Sequence, residues 1–428
     1  MTRSLRRKIF VVFLGIFLFG GIGLIYYTQG YRIDFATLSV HKTGGVYIET
    51  SAHPVSLSLN GKIYQDTSGF LQRGTFLRTI FPKRYRLVIT KDGYRPYEKN
   101  ISVAPGEVTP VLNVLLVPQT ISATTTNHIP GNTIIAAANG MLITRDDKKN
   151  IYYKTRADTV PPTTTILSSA ISALTHRPII AIAPYPQEKN RFVVETIAGL
   201  FSVDVSQRTQ EPILTSTKIL WWNMQGGNLS IINMPIASTT TSTSVTTTAI
   251  TIFDLSLAKT AWTQTLSIPE NTSIVAADTS QTNAALILNT GSLLLCAIAN
   301  GTCSPVADSV KMASFSADGT RLFYQDRDGK IFVYLLNDDI IALNAPRGST
   351  LRIGLSETAR IQKLWWAFDN YHLLCAYPDK ISIAEVTKGE PNEQFNVADT
   401  TGNVWYDNDS KMLFSLADGI LTSYNLNF

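Results

Sequence analysis

The sequence predicts an all-β protein behind a single N-terminal transmembrane helix: a small β-sandwich comes first, and a β-propeller of about seven blades follows. Three observations predict this class. One long apolar run lies near the N-terminus, alternation of period two fills the next stretch, and a strand-rich repeat occupies the remaining residues. Of the 428 residues, 44 % are apolar and only 16 % are charged, a composition that supports folded cores rather than disorder.

The first element is an uncharged run over residues 9–27, which is long enough as a helix to span about 28 Å of a hydrocarbon core of about 30 Å. The basic residues Arg3, Arg6, Arg7 and Lys8 precede it. The positive-inside rule therefore keeps residues 1–8 in the cytoplasm and places the body outside. Tyrosines rather than a small-residue cleavage site follow the run, so we expect an uncleaved signal anchor, with residues 28–43 as a linker.

The formal net charge of +5 does not indicate a nucleic-acid partner. Four of the 37 basic residues lie among the first eight residues, which leaves 33 basic residues against 32 acidic ones in the rest of the chain. Neutralising many phosphates requires a stripe of Lys and Arg. A nearly neutral body excludes that class of function.

Residues 44–118 alternate between apolar and polar positions, as expected for short strands with one buried face. Asn60-Gly61 and Asp92-Gly93 mark turns between them. Six or seven short strands in this length predict a small β-sandwich.

This segment resembles the PEGA domain, a family found in bacterial surface proteins. The resemblance is carried by six short matches: Gly45-Val46-Tyr47-Ile48, Leu57 to Lys62, Phe81-Pro82, Tyr85 to Ile89, Gly93-Tyr94 and Val103 to Gly106. The namesake Pro-Glu-Gly-Ala is replaced by Ala52-His53-Pro54-Val55, and Pro82-Lys83 stands where the family has Pro-Gly. The resemblance implies a prealbumin-like sandwich that anchors or interacts and has no catalytic residues.

The same segment is basic, and five of its cations are candidates for contact with an acidic surface such as anionic lipid or a wall polymer. They are Arg73, Arg78, Lys83, Arg84 and Arg86. A solvated face is the alternative.

After a Thr-rich linker at residues 119–130, residues 131–428 repeat one template of three apolar strands separated by polar turns. The clearest copies are Phe315–Asn337, Leu364–Val386 and Val404–Leu426. A spacing of about 40–50 residues is typical of propeller blades. Seven copies predict seven blades, with six or eight left open, and the pattern resembles TolB-like and WD-repeat-like propellers. We expect a strand from within Asn132–Lys154 to complete the last blade, because a ring leaves no exposed edge.

Two of the three cysteines, Cys296 and Cys303, flank an Asn-Gly turn, so a disulfide between them is one of two open alternatives. Cys375 lies in an apolar strand and is expected to be an inert buried thiol. The five histidines have no metal-binding spacing, and no nucleophile or phosphate-binding motif occurs. We expect no metal and no cofactor.

Asp318-Gly319 and Asp326 to Gly329 are interpreted as ordinary turns rather than as an Asp-box or a calcium loop. The pairs Trp221-Trp222 and Trp365-Trp366 are interpreted mainly as core, with one Trp of each pair pointing outward. The Thr tracts at 124–126, 163–165 and 239–248 are expected to be solvated loops, with glycan attachment as the alternative.

The sequence therefore predicts a non-enzymatic, single-pass cell-membrane protein whose extracytoplasmic body presents a propeller for binding. Its expected partners are the membrane, and an envelope protein or cell-wall polysaccharide. The alternatives are a propeller-type glycosidase or lyase that acts on envelope polysaccharide, which needs paired carboxylates, and a TolB-like envelope-assembly factor.

Overall fold

The structure is a computed structural model that describes residues 3–34, 39–69, 73–138, 141–155, 165–185, 188, 190–215, 217–225, 228–235, 248–254, 259–266, 268–269, 272–387, 392 and 394–428. The chain is mostly β, with an apolar helix at the N-terminus and many small sheets. Most of the Thr-rich tract at 239–248 and of the tract at 163–165 lies outside the described residues.

Helix α1 covers Arg3–Thr28. It is apolar and long enough to cross a membrane, and no part of the span Arg6–Thr28 is buried against the rest of the chain. The segment predicted as a linker contains a hairpin of two strands, β1 at Tyr31–Asp34 and β2 at Ser39–Lys42.

Two small sheets follow and face each other around one apolar core. Their strands are β3 (Gly44–Thr50), β4 (Ser56–Leu59), β5 (Lys62–Tyr64), β6 (Gly74–Ile80), β7 (Arg84–Thr90), β8 (Tyr97–Ser102) and β9 (Val108–Val114). One sheet has the order β6-β3-β9, with β3 and β9 parallel, and the other has the order β5-β4-β7-β8. We call this unit the N-terminal module.

The alternation of apolar and polar residues in the N-terminal module matches the alternation of buried and exposed side chains along its strands. Leu57, Leu59, Leu87 and Ile89 are almost completely buried, while the residues between them face outward or are half-buried. Each such side chain contributes about 1.5–3 kcal/mol on burial. The turn at Asn60-Gly61 has φ values of 49° and 82°, which confirms the predicted turn because both of its central residues lie in the left-handed region.

The rest of the described chain contains seven four-stranded sheets, which we call A to G. Strand β10 (Ala123–Thr126) comes first in the chain and belongs to the last of them, sheet G. Sheet A comprises β11 (Thr133–Ala138), β12 (Met141–Arg145), β13 (Ile151–Thr155) and β14 (Thr165–Ile166). Sheet B comprises β15 (Ala181–Pro184), β16 (Arg191–Thr196), β17 (Gly199–Asp204) and β18 (Thr209–Thr215). Sheet C comprises β19 (Thr217–Gln225), β20 (Asn228–Pro235), β21 (Ala249–Asp254) and β22 (Lys259–Thr265). Helix α2, Leu167–Thr175, lies between sheets A and B.

Sheet D comprises β23 (Ile274–Thr279), β24 (Asn283–Leu288), β25 (Leu293–Ala297) and β26 (Cys303–Ala307), and sheet E comprises β27 (Val310–Phe315), β28 (Arg321–Asp326), β29 (Ile331–Leu335) and β30 (Thr350–Ile353). Sheet F comprises β31 (Lys363–Trp366), β32 (His372–Ala376), β33 (Lys380–Glu385) and β34 (Gln394–Asp399). Sheet G comprises β10 together with β35 (Asn403–Asp407), β36 (Met412–Ala417) and β37 (Ile420–Asn425). A 3-10 turn, Thr358–Arg360, precedes sheet F. Sheets A to F are antiparallel meanders in chain order.

Sheet G is completed from a distant part of the chain, in the order β10-β37-β36-β35. Strand β10 pairs antiparallel with β37, from Ala123 opposite Tyr424 to Thr126 opposite Leu421. The prediction that this strand lies within Asn132–Lys154 is wrong, since Thr133–Ala138 is the first strand of sheet A. The segment taken for a solvated Thr-rich linker supplies it instead, because β-branched Thr favours an extended strand once a partner edge is available.

Each pair of consecutive sheets shares one apolar cluster, and sheet G shares one with sheet A. Representative buried members, in the order A–B, B–C, C–D, D–E, E–F, F–G and G–A, are Ile143, Leu229, Leu286, Leu322, Leu373, Leu413 and Ile134. The sheets are therefore held to one another by packing between their faces.

Candidate functional site

A buried ion pair joins the N-terminal module to sheet F. Lys99 Nζ lies 3.0 Å from Glu385 Oε2, and the two side chains are only 6 % and 2 % exposed. The Tyr97 hydroxyl donates to Glu385 Oε1 at 3.0 Å, and Lys99 also donates to the Thr387 hydroxyl. Removing either charge would leave the other buried without compensation, so this contact fixes one module against the other.

The burial pattern of each strand places one of these groups at a buried position. Tyr97, Lys99 and Ile101 occupy the inward positions of β8, and Glu385 ends the buried strand β33. The predictions from sequence did not include this pair, although a Lys at an apolar position of an alternating strand and a Glu closing an apolar run are both signals for it. A cleft of about 420 Å³ opens beside the pair, between the N-terminal module and the loop at Ile341.

The connection between the two modules is itself buried. Leu116 belongs to the core of the N-terminal module, whereas its neighbours Leu115 and Val117 belong to the cluster shared by sheets F and G. All three side chains are at most 4 % exposed. Successive side chains of an extended segment point in opposite directions. Leu116 therefore packs into one core, and Leu115 and Val117 pack into the other.

A second cleft, of about 470 Å³, lies between sheets D and E and has a mostly polar lining. It is lined by Ser280, Gln281, Thr282, Asn283, Leu295, Ala297, Ala317, Asp318, Gly319, Tyr334, Leu336, Asn337 and Arg347. One guanidinium, one carboxylate, one phenol and several amides and hydroxyls can donate and accept hydrogen bonds there. This chemistry suits a polar, uncharged ligand.

The carboxylate of this cleft is held by its own turn. Burial raises the pKa of Asp318, but hydrogen bonds from Ser316 and Thr320 outweigh burial and lower it. Ser316 Oγ donates at 2.6 Å and the Thr320 amide at 3.1 Å, and Gly319 has φ of 68°. The interpretation of this motif as an ordinary turn is confirmed, as is that of Asp326 to Gly329, where the Lys330 amide donates to Asp326 at 2.8 Å.

Two further titratable side chains, Asp278 and Arg321, stabilise the junctions between elements. Burial raises the pKa of Asp278, whose Oδ2 accepts hydrogen bonds from Ser314 Oγ at 2.6 Å and the Phe315 amide at 2.8 Å, tying sheet D to sheet E. Arg321 Nη2 lies 2.5 Å from Asp339 Oδ2, with the Arg side chain 5 % exposed. Both groups have polar partners within the protein and are consistent with structural roles.

The five basic residues predicted to contact an acidic surface do not form one cluster. Arg78, Lys83 and Arg84 are exposed at the end of the N-terminal module where β6 ends and β7 begins. Arg86 Nε donates to Glu98 at 3.0 Å, and Arg73 lies at the opposite end, before β6 begins. Three of the five therefore remain together.

Cys296 and Cys303 face each other across β25 and β26 and carry a disulfide. A five-residue connection places them directly opposite, instead of diagonally as in a two-residue hairpin. Burial raises the pKa of the Cys375 thiol to about 12, as expected for an inert cysteine. His372 Nδ1 lies 2.5 Å from Asp369 Oδ2. Among the described residues, His, Cys, Asp and Glu form no group of three that could hold a metal.

The Trp pairs both lie between sheets. Trp222 packs in the B–C cluster and donates from Nε1 to Glu195 at 2.8 Å, while Trp221 packs on the C–D cluster. Trp366 packs in the E–F cluster and Trp365 on the F–G cluster. The expectation that one Trp of each pair points outward is wrong, because the two faces of β19, and likewise those of β31, meet two different neighbouring sheets.

Comparison with known proteins finds similarity in structure but none in sequence. No family model matches the chain, and no curated protein matches it in sequence. Among solved structures it is similar to PorZ, described as an essential bacterial surface component of the type-IX secretion system of Porphyromonas gingivalis, with a TM-score of 0.45 and 15 % identity over 70 % of this chain. The match covers 37 % of the PorZ chain, so this chain spans well under half of that protein.

Proposed function

We propose that sheets A to G are the seven blades of a closed β-propeller. The shared apolar cluster between sheets G and A supports a ring, because an open stack would leave its two outer faces without partners. The Ile134 amide in β11 also donates to Asn403 Oδ1 in β35 at 3.0 Å. Strand β10 then fastens the ring by completing the last blade.

Side chains near the start of the first strands of sheets E, F and G, which are β27, β31 and β35, support the same circular order. Lys311 Nζ donates to the Ile361 carbonyl at 3.2 Å, so sheet E reaches sheet F. Lys363 Nζ donates to the Val404 carbonyl at 2.8 Å, so sheet F reaches sheet G. Together with the Asn403 contact, each step runs from one sheet to the next in the same direction.

We further propose that the protein is anchored in the cell membrane by α1, with its N-terminus cytoplasmic and its body outside, and that the N-terminal module is a PEGA-like β-sandwich. The disulfide between Cys296 and Cys303 supports an extracytoplasmic body, since such bonds persist in oxidising compartments.

In this proposal the protein is a non-enzymatic binding or scaffold protein of the cell surface. The observation that carries the proposal is the buried junction of Lys99 with Glu385, reinforced by Leu115 to Val117. It fixes the propeller to the sandwich, and the sandwich continues directly into the anchor. Such an arrangement holds a binding platform in one orientation above the membrane. Its partner is an envelope protein or a cell-wall polysaccharide.

The topology is tested by protease treatment of spheroplasts that express the full chain with a tag after Phe428. The expected result is loss of the tag signal without lysis. A tag that stays protected until the membrane is opened would reverse the proposed orientation.

The binding role is tested at the cleft between sheets D and E. Arg347→Ala removes its guanidinium, and Arg352→Ala removes an exposed guanidinium from the outer strand of the same sheet as a matched control. Binding to purified cell-wall polysaccharide is expected to fall at least tenfold for the first variant and to be unchanged for the second. Equal effects would exclude this cleft as the binding surface.

The alternative of a glycosidase needs two carboxylates about 5–10 Å apart at one cleft. Among the described residues that line the D–E cleft, Asp318 is the sole carboxylate. Its oxygens are engaged by Ser316 and Thr320. The D–E cleft therefore favours binding over hydrolysis.

A further inference from the structure

One end of the N-terminal module sits directly on the end of the membrane helix. The Gly30 carbonyl, two residues beyond α1, accepts hydrogen bonds from the Thr43 amide at 2.9 Å and the Thr43 hydroxyl at 2.8 Å. The Thr43 carbonyl in turn accepts from the Gly106 amide at 3.0 Å. The helix, the hairpin and the module are therefore joined without a free spacer.

Several strands of the module begin or end at this junction. Gly44 lies opposite Ile80, so β6 ends there. Arg84 lies opposite Ser102, and the Lys83 carbonyl accepts from the Val103 amide at 3.0 Å, so β7 begins there and β8 ends there. We call this end of the module, nearest Gly30, the anchor end.

The anchor end is basic. Among the residues that the structure describes here, Asp34 and Glu107 are the acidic ones at or beside it. Its cations outnumber them: Arg32, Lys42, Arg78, Lys83 and Arg84. The last four are exposed.

The same end adjoins residues of the type that mark a membrane interface. Tyr26, Tyr27 and Tyr31 lie around the end of α1, where aromatic residues mark the membrane interface. The Arg32 guanidinium carbon lies 3.6 Å from the centre of the Tyr27 ring. The headgroup layer is about 5–8 Å thick, so a module that starts at Gly30 meets it.

We propose that the anchor end of the N-terminal module binds the anionic headgroups of the bilayer in which α1 is embedded, through Arg78, Lys83 and Arg84. The proposal rests on the membrane-anchoring part of the proposed function. Each cation close to an anionic surface strengthens the contact about fivefold. Binding there would hold the module upright, adding to the constraint imposed by the single helix.

The test uses the full chain in lipid nanodiscs with a fluorescent probe on one introduced cysteine. Ser102→Cys places the probe at the anchor end, and Ser56→Cys places it at the opposite end, where β4 begins. Cys296 and Cys303 are bonded and Cys375 is buried, so the introduced thiol is the reactive one. The readout is quenching by lipids that carry a nitroxide on the headgroup.

With phosphatidylglycerol in the disc, we expect strong quenching at position 102, loss of that quenching in molar salt, and little quenching at position 56. Arg78→Gln, Lys83→Gln and Arg84→Gln together should abolish the gain over phosphatidylcholine. The matched control removes the same charge from the far end of the module through Arg73→Gln, Lys91→Gln and Arg95→Gln. If the first triple variant does not fold, Arg84→Gln alone should weaken the salt-sensitive part about fivefold.

Equal quenching at position 102 in anionic and zwitterionic discs, or equal effects of the two triple variants, would overturn the proposal. Binding of soluble acidic wall polymer without any dependence on lipid charge would also overturn it and assign the cations to that polymer. These outcomes are distinct from failure of the proposed function, which the protease test decides without reference to lipid composition.

Discussion

The ion pair between Lys99 and Glu385 gives the most direct test of how the two modules are joined. Lys99→Met leaves the Glu385 carboxylate, 2 % exposed, without its cation. Breaking a buried pair in this way costs about 3–5 kcal/mol of unfolding free energy. The pair Arg86–Glu98, with side chains 63 % and 42 % exposed, is the internal reference. Removing it with Glu98→Gln should cost at most about 1 kcal/mol.

Urea unfolding of the full chain in detergent micelles measures both costs. All six tryptophans lie beyond residue 220, so their fluorescence reports on the C-terminal sheets, and far-UV circular dichroism reports on the whole chain. Lys99→Met should separate the two transitions, because the N-terminal module then unfolds without the C-terminal sheets.

The double variant Lys99→Met, Glu385→Met separates charge from packing. Replacing a buried pair by apolar residues of similar size is often close to neutral, so the double variant should recover most of the loss. The reasoning is refuted if Lys99→Met costs no more than Glu98→Gln. It is also refuted if the double variant loses as much unfolding free energy as the single variants Lys99→Met and Glu385→Met together.

Three further predictions concern other parts of the chain. Truncation after Asp418 removes β37, which leaves β10 without a partner and exposes one edge of β36, so we expect aggregation by size-exclusion chromatography. An unchanged monomer with an unchanged unfolding midpoint would contradict the proposed closed ring. Burial of Asp66 opposes ionisation, but hydrogen bonds from Ser68, Thr75 and the Val55 amide outweigh burial and lower its pKa from 3.8 to about 2. The ionised carboxylate therefore stabilises the fold above pH 4, and this stabilisation is lost as the pH falls towards 2. Melting curves of Asp66→Asn should not show that loss of stability in acid. Cys296→Ser opens a loop with a sequence separation of 7 and should cost about 2 kcal/mol, and a reducing agent should destabilise the parent chain but not the variant.

The apolar helix and the β-rich body were predictable because they rest on local patterns. An uncharged run of membrane length and strict alternation, as at Leu57 and Leu59, depend on residues close together in the sequence. Turns were predictable for the same reason, since Asn60-Gly61 and Asp318-Gly319 select their own backbone conformation.

Contacts between distant segments were not predictable from such patterns. Strand β10 has an ordinary Thr-rich sequence, and its partner β37 lies about 300 residues away in the chain. Lys99 and Glu385 each stand out from the alternation of their own strands, but nothing local indicates that they meet. The basic residues of the N-terminal module divide into separate groups because strand order, rather than sequence proximity, decides which end of the module each occupies.

In the proposed membrane-anchored arrangement, the passage of Leu115, Leu116 and Val117 through two cores also determines how the binding platform meets other molecules. A domain on a flexible tether samples a volume, and its effective concentration towards a neighbour is spread over every distance the tether allows. A domain joined through buried side chains stands at one height above the bilayer. Its effective concentration is then high for a membrane-bound partner whose site lies at that height, and close to zero for one whose site lies higher or lower.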